Sequence, residues 1–451
     1  MLDLDKVDYI PYHKLIAANY PSQVQEQTNK FVPRKHQVDI VYKAYDLACQ
    51  MDLVCIESYC GSGKTKTMAL MNQMPLELGC KILVVGFREV AMSGNIHDWR
   101  QVFGNKFKFN NLNELDANCD VYFFTVNGIH SILKREPLAF NKIFDRIDIV
   151  IGDEVHHLPK DDDGNTQMLG KVYKKLFEDN NKHKFSFTAT HCRMDKMLPC
   201  GKEKPDIRYT MYEGIKDGIC PPLHGIAVIT NATDFEEKNQ GDYYKFTVDF
   251  ESVSKQVLKL YMNDVGWGHC LFMRRNEECR QMRDLLNKDF GREAFVVLDE
   301  DSTSEEREQY KKDIADHKLI GYITVEVGVE GISIDRLKYC HVICKTGSII
   351  KLTQMIGRVV RYVPGKIAVV VDYMVKKAEI IAGCVGFWDF CNREGSKLNR
   401  TQMLLGENGF DDCPEITPLS ISYAQLTEWI TPKTELDWHE GLEELMRKKS
   451  A

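Results

Sequence analysis

At 451 residues the chain is too long for one ordinary core and fits two or three domains. Hydrophobic residues at 43% and charged residues at 28% are the proportions of an ordinary globular protein, and no run of about 18 apolar residues is present to span a membrane. The formal charge of −7, from 59 Lys and Arg against 66 Asp and Glu, excludes a basic coat for a polyanion but leaves room for a local electropositive track.

Residues 1–14 lack the basic flank and apolar stretch of a signal peptide. Fifteen cysteines, an odd number, then point to reduced thiols in an intracellular compartment, with cytoplasm and nucleus not distinguishable. Cys340 and Cys344 stand four apart inside an apolar run, where a core role fits better than a zinc site.

Taken in chain order, residues 1–32 form a lead-in. The first helical pattern covers 37–49, followed by a strand at 53–57 and a second helix at 64–78. Further short apolar runs predict strands at 81–86, 121–125, 147–152 and 184–188, each the length of a buried parallel strand. Strand and helix alternate, which predicts an α/β doubly wound sheet with ligands at the carboxyl ends of its strands. The alternation breaks after Asp195, among Pro199, Pro205, Pro221 and Pro222. A strand at 223–230 and a polar turn at 236–242 follow, then strands at 269–273, 294–298, 319–325, 339–345 and 367–372. The domains read as 33–222 and 223–377. A mostly helical or irregular extension, 378–451, carries Trp388, Trp429 and Trp438 and offers a surface for protein partners.

The first strand runs into Ser58, Tyr59, Cys60, Gly61, Ser62, Gly63, Lys64 and Thr65, and a helix begins there. This is the strand–turn–helix setting of a phosphate-binding loop. Gly61 and Gly63 let the backbone turn several N–H groups toward the β- and γ-phosphates of ATP. Lys64 adds a positive charge there, the Thr65 hydroxyl is placed to ligate Mg²⁺, and the helix N-terminus adds its dipole. Ser58 stands where such loops usually begin with glycine.

The strand at 147–152 ends in Asp153, Glu154, Val155 and His156. A carboxylate at a buried strand tip suits Mg²⁺, and its neighbour suits a general base for an attacking water, so Asp153 is assigned to the metal and Glu154 to the base. Spacing and chemistry by themselves reach a P-loop NTPase with a second α/β domain.

Asp153–His156 resembles the DExH box of superfamily 2 helicases, and motifs similar to the rest of that family's set occur in order from about Pro33 to Asp372. The resemblance implies two tandem RecA-like domains, each a mainly parallel sheet flanked by helices, that bind ATP and Mg²⁺ in a cleft between them. Arg34 and Gln37 resemble the adenine-reading motif. Thr188 and Thr190 resemble the Thr-Ala-Thr motif that, with His156, couples ATP state to the second domain. Thr190, Arg193 and Asp195 match a pattern of the branch containing type III restriction motors and excision-repair helicases. Arg88 and Thr125 fall where the family grips the nucleic-acid backbone.

In the second domain, Gly331 lies in a segment similar to the Glu-Gly-hydrophobic-Asp motif, with Thr324 one residue off the threonine that usually opens it. Gln354, Arg358 and Arg361 fall at i, i+4 and i+7, one face of a predicted helix. They resemble the family's last motif, whose arginines supply charge to the γ-phosphate. Together the motifs imply an ATP hydrolase that moves along or unwinds nucleic acid, with DNA favoured over RNA. A duplex remodeller and an ATP-switched clamp are the rival readings. The compact core resembles virus- or phage-encoded helicases.

Overall fold

The computed structural model describes residues 31–155, 172, 175–178, 181–189, 204–237, 244–299, 301–325, 334–344, 349–377 and 380–383. The chain divides into two compact units, with the border between Tyr209 and Thr210. Among the described residues, no helix is long and apolar enough to cross a membrane.

In the first unit, strands β1 (Leu53–Ser58), β2 (Ile82–Gly86), β3 (Val121–Thr125), β4 (Ile149–Asp153), β5 (His183–Thr188) and β6 (Ile207–Tyr209) form one parallel sheet in the order β3-β2-β4-β5-β1-β6. The helices are α1 (Lys35–Ala48), α2 (Lys64–Glu77), α3 (Glu89–Phe103), α4 (Val126–Arg135) and α5 (Pro137–Phe144). Strands β2, β3 and β4 are buried at every position, which is why their sequences read as unbroken apolar and β-branched runs. From α3, Trp99 is fully buried and packs edge-on against Phe103, Phe109 and Phe123. Truncating such a side chain costs about 3–5 kcal/mol. Strand β5 lies between β1 and β4, so the carboxyl ends carrying Ser58, Thr188 and Asp153 come together at one edge of the unit.

In the second unit, the strands are β7 (Leu223–Glu237), β8 (Tyr244–Val248), β9 (Gly268–Met273), β10 (Phe295–Val297), β11 (Gly321–Val325), β12 (Leu337–Val342), β13 (Ala368–Lys377) and β14 (Ile380–Gly383). Their order is β10-β11-β9-β12-β13-β7-β8, parallel from β10 to β7, with β8 antiparallel on β7 and β14 antiparallel on β13. Helices α6 (Met211–Lys216), α7 (Phe250–Asn263), α8 (Asn276–Asp289), α9 (Ser304–Ala315) and α10 (Ile349–Ile356) accompany them. Val253, Val257 and Leu260 of α7, with Cys279, Met282 and Leu286 of α8, share a buried core with Leu271, Met273 and Ile323 of the sheet. Cys340 and Cys344 are both buried, as their apolar setting predicts. Two parallel α/β sheets in tandem are the architecture expected from the sequence.

Two expectations are corrected here. Strand β7 continues to Glu237 rather than ending at Thr230, because residues from Ala232 to Glu237 pair antiparallel with β8. Residues 231–237 are mostly polar or acidic, several of them of types depleted in strands, so no apolar run marks this part of the strand in the sequence. Residues 380–383, assigned to a helical or irregular extension, form β14, which pairs Lys377 with Ile380 and prolongs the sheet. The remainder of the extension lies outside the described residues.

Candidate nucleotide-binding and catalytic site

Strand β1 delivers the chain to Ser58, and α2 begins at Lys64. Between them Gly61 and Gly63 have φ of 97° and 86°, the left-handed region that a side chain strongly disfavours. Gly63 is also the N-cap of α2, and a Cβ on it would lie 2.8 Å from Nε2 of Gln37. Ser58, in the place usual for glycine, donates from its hydroxyl to Oγ of Ser62 at 2.7 Å and ties the loop across its base. The Tyr59 N–H donates to the Tyr209 carbonyl, and the Tyr59 ring is buried against Tyr209. Cys60 is partly exposed.

Two α1 side chains brace this loop. His36 donates from Nε2 to the Ser62 carbonyl at 2.9 Å, and its ring stacks on Tyr209 with centroids 4.4 Å apart. Gln37 donates from Nε2 to the Gly63 carbonyl at 3.2 Å, while its Oε1 accepts the Arg34 N–H at 2.9 Å. The predicted adenine reader is therefore buried, and it joins the start of α1 to the phosphate loop.

Lys64 Nζ lies 3.4 Å from the Ser58 carbonyl and 3.6 Å from Oε1 of Glu154. Burial alone would lower the lysine pKa, but the Glu154 and Asp153 carboxylates outweigh it and the pKa stands raised. Asp153 closes β4 and is buried. Its pKa is pushed up to about 6, by burial first and then by the Glu154 charge, against the pull of Lys64 and Asn95. Asp153 Oδ1 is buried without a hydrogen-bond partner, and Thr65 is half-buried at the start of α2. One unpaired carboxylate oxygen and one hydroxyl are the protein donors that Mg²⁺ takes when phosphates complete its shell, so these residues fit the ion.

Glu154 has φ of 51°, a left-handed conformation rare outside glycine. Strain of this kind, about 1–3 kcal/mol, collects at working sites. Behind it Gly152 is closely packed, and a Cβ there would lie 2.5 Å from the Val155 side chain and 2.8 Å from that of Phe177, so both would have to shift.

The remaining predicted residues fall as follows. Thr188 is buried at the end of β5. His156, Thr190 and Gly331 lie outside the described residues, as do Arg193 and Asp195. Arg88 is exposed at the N-cap of α3. Thr125 is buried, and its hydroxyl accepts the Gly128 N–H at 3.0 Å and donates to Oδ1 of Asn113 at 3.2 Å, so it serves the cap of α4.

In the second unit Gln354 is buried on α10, but Arg358 and Arg361 are not on that helix. This corrects the shared helix face. The last regular turn closes with Gly357 N–H on the Thr353 carbonyl. Arg358 and Val359 then bond three residues back, to Met355 and Ile356. Gly357 weakens the helix, and the buried, β-branched Val359 and Val360 draw the chain into the core instead. Arg361 Nη1 lies 3.8 Å from Oδ1 of Asp335, an exposed pair worth at most about 1 kcal/mol. Thr324 is buried inside β11, with its hydroxyl unpaired, while Val325 ends the strand.

Three supporting residues escape a motif-based reading. Asn95 bridges Thr65 and Asp153, His36 holds the phosphate loop, and Lys366 donates to the Arg361 and Asp335 carbonyls, both at 2.9 Å. Burial pushes the Lys366 pKa down to about 8. The available signal was a polar residue at a core position, since Asn95 lies on the buried line of α3 with Met92 and Trp99.

A parallel sheet with a phosphate loop after its first strand and an acid pair at a nearby strand tip defines a P-loop NTPase of RecA-like build. The family comparisons narrow this. Residues 30–193 match the type III restriction enzyme res subunit, and residues 254–363 match the helicase conserved C-terminal domain. The chain belongs to superfamily 2 of the helicases, related to the type III restriction motor branch.

Solved structures share the fold. The helicase Lhr of Mycobacterium smegmatis, bound to ssDNA and AMP-PNP, is 14% identical with a TM-score of 0.52, over 76% of this chain and 46% of that one. A putative HsdR subunit of a type I restriction enzyme from Vibrio vulnificus YJ016 is 16% identical with a TM-score of 0.55, over 76% and 64%. Dbp5 of S. cerevisiae, bound to RNA and ADP BeF3, is 15% identical with a TM-score of 0.51, over 76% and 88%. The chain thus spans less than two thirds of the first two. No curated protein matches it in sequence.

Proposed function

We propose that this chain is an ATP-dependent nucleic-acid translocase or helicase with DNA as its preferred track. The observation that carries the proposal is the linked set Lys64, Thr65, Asp153 and Glu154, assembled at the carboxyl ends of β1 and β4 within a superfamily 2 core. In this reading the loop N–H groups and Lys64 bind the β- and γ-phosphates of ATP. Thr65 and Asp153 would hold Mg²⁺, which neutralises phosphate charge when bound. Glu154 takes a proton from water as the water oxygen bonds to the γ-phosphorus. The β–γ bridging bond breaks, and its electron pair leaves with ADP.

Arg358 and Arg361 stabilise charge that develops in this step, and Gln37 with Arg34 reads adenine. Thr188, with His156 and Thr190, passes the nucleotide state onward, while Gly331 and Gln354 take part in nucleotide binding. Arg88 and the turn at Thr125 meet the nucleic-acid backbone through phosphates rather than bases. The DNA preference rests on Gln354 and on the Thr190–Asp195 pattern. RNA is the second reading, favoured by the likeness to Dbp5, whose structure holds RNA.

The test is steady-state ATPase activity with single-stranded DNA, duplex DNA and RNA as alternative stimulators. Strongest stimulation by DNA is expected. Turnover indifferent to all three polymers contradicts the proposal, and stimulation by RNA alone selects the second reading.

A further inference from the structure

Helix α3 turns Met92, Asn95 and Trp99 toward the sheet, and Asn95 is the polar member of that buried line. Its carboxamide lies between the two protein groups that the proposed function assigns to the metal. Nδ2 donates to Oδ2 of Asp153 at 2.9 Å, and Oδ1 accepts the Thr65 hydroxyl at 2.9 Å. Nδ2 also approaches Sδ of Met92 at 3.7 Å.

The orientation of the amide is dictated by its partners. Turned over, Oδ1 would face the Asp153 carboxylate, two acceptors in contact in a buried site, and the repulsion forbids it. The directions of the two bonds therefore carry information. Thr65 has one hydroxyl hydrogen, and giving it to Asn95 leaves the oxygen lone pairs pointing elsewhere. Asp153 has two carboxylate oxygens. Asn95 occupies Oδ2, and Oδ1 remains buried with no hydrogen-bond partner. Both groups are thus presented as bare oxygen donors, the form a hard cation requires.

We propose that Asn95 is a positioning residue for the metal, setting the Thr65 hydroxyl and the Asp153 carboxylate in the orientation that Mg²⁺ takes. It acts through these two side chains and does not itself ligate, because its oxygen is committed to the Thr65 hydrogen. The proposal rests on the reading of Thr65 and Asp153 as metal donors. Outer partners of metal ligands typically contribute roughly 10- to 100-fold in metal affinity. Loss of Asn95 should fall on metal binding and leave metal-free nucleotide binding, which depends on the loop N–H groups and Lys64, near its original strength.

The test uses the full chain as wild type, Asn95→Ala, and Asn95→Met, which refills the volume beside Met92. Mn²⁺ is titrated against each protein at saturating ADP, with free Mn²⁺ read by electron paramagnetic resonance. ADP binding in EDTA, the thermal transition, and the Mg²⁺ concentration for half-maximal ATPase are measured alongside. Expected in both variants are Mn²⁺ affinity weakened roughly 10-fold or more, a matching rise in Mg²⁺ requirement, and ADP binding in EDTA within about threefold of wild type. Mn²⁺ affinity equal to wild type overturns the proposal. So does loss of the folded transition in both variants, which would make Asn95 a pin of the fold. If wild type itself binds no Mn²⁺ with ADP and hydrolyses no ATP, the underlying reading fails. Normal wild-type behaviour with unshifted variants sinks the positioning role alone.

Discussion

The ammonium of Lys64 stands 3.6 Å from Oε1 of Glu154, an ion pair at the mouth of the phosphate loop. The phosphate-binding lysine is thereby engaged by the residue assigned as base. In the proposed mechanism, incoming phosphate competes for Lys64 and frees the carboxylate for water. Lys64→Ala should abolish hydrolysis while the protein stays folded, because the charge at the phosphates is lost. Glu154→Gln should instead bind ATP and hold it unhydrolysed, since Asp153 is intact. Wild-type turnover in either variant, measured by phosphate release, would remove that residue from its role.

Gln37 joins two structures, through the Arg34 N–H and the Gly63 carbonyl. Each polar atom of its carboxamide keeps one more bonding position, enough for paired contacts with an adenine edge. Gln37→Ala should flatten the preference for ATP over GTP and weaken ATP binding, and also cost about 1 kcal/mol of stability through the lost cap. Competition binding with both nucleotides checks this. Lower stability with unchanged discrimination would make Gln37 a clip of the loop and nothing more.

Arg358 follows the end of α10, on a turn fixed by its own N–H bond to the Met355 carbonyl at 3.1 Å. If it stabilises the transition state, Arg358→Ala should lower turnover about 10³-fold while ATP affinity changes little. Reduced nucleic-acid affinity and salt dependence, with turnover intact at saturating nucleic acid, would make it a phosphate contact.

A pH effect follows from the core of the second unit. His269 Nδ1 and His341 Nε2 are 2.9 Å apart, and His341 Nδ1 is 2.9 Å from the Tyr373 hydroxyl, all buried. Tyr339 stacks on His269. Burial pushes His341 down to about 3, and burial, then His341, Arg336 and Lys338, hold His269 well below its usual range. Both stay neutral in the fold while the unfolded chain takes up protons below about pH 6.5. Stability is therefore present above that pH and lost as pH falls toward 3, by up to about 1.4 kcal/mol per pH unit for each histidine. The melting temperature should fall between pH 7 and 5, and less steeply in His341→Gln. Equal slopes would contradict the assignment.

The residues legible in the sequence are those whose chemistry is local. Gly61, Gly63 and Lys64 fall close together at a strand–helix junction, and Asp153 with Glu154 ends an apolar run, so pattern and placement coincide. The residues that escaped act across the chain. His36 reaches Ser62 from 26 residues away, and Asn95 reaches Asp153 from 58. Lys366 binds main-chain carbonyls that no side-chain pattern announces. The misplaced helix face has a different origin. Periodicity placed Arg358 and Arg361 with Gln354, and the competing burial of Val359 and Val360 after Gly357 ended the helix first.

That hydrolysis drives movement is the centre of this account, and a stepping motor differs there from a clamp that only switches. The direct measurement is ATP-driven displacement of streptavidin from DNA biotinylated at either end. Wild type should displace it with ATP and Mg²⁺, and Glu154→Gln should not. DNA-stimulated hydrolysis by wild type with streptavidin left in place at both ends would contradict translocation and leave a clamp.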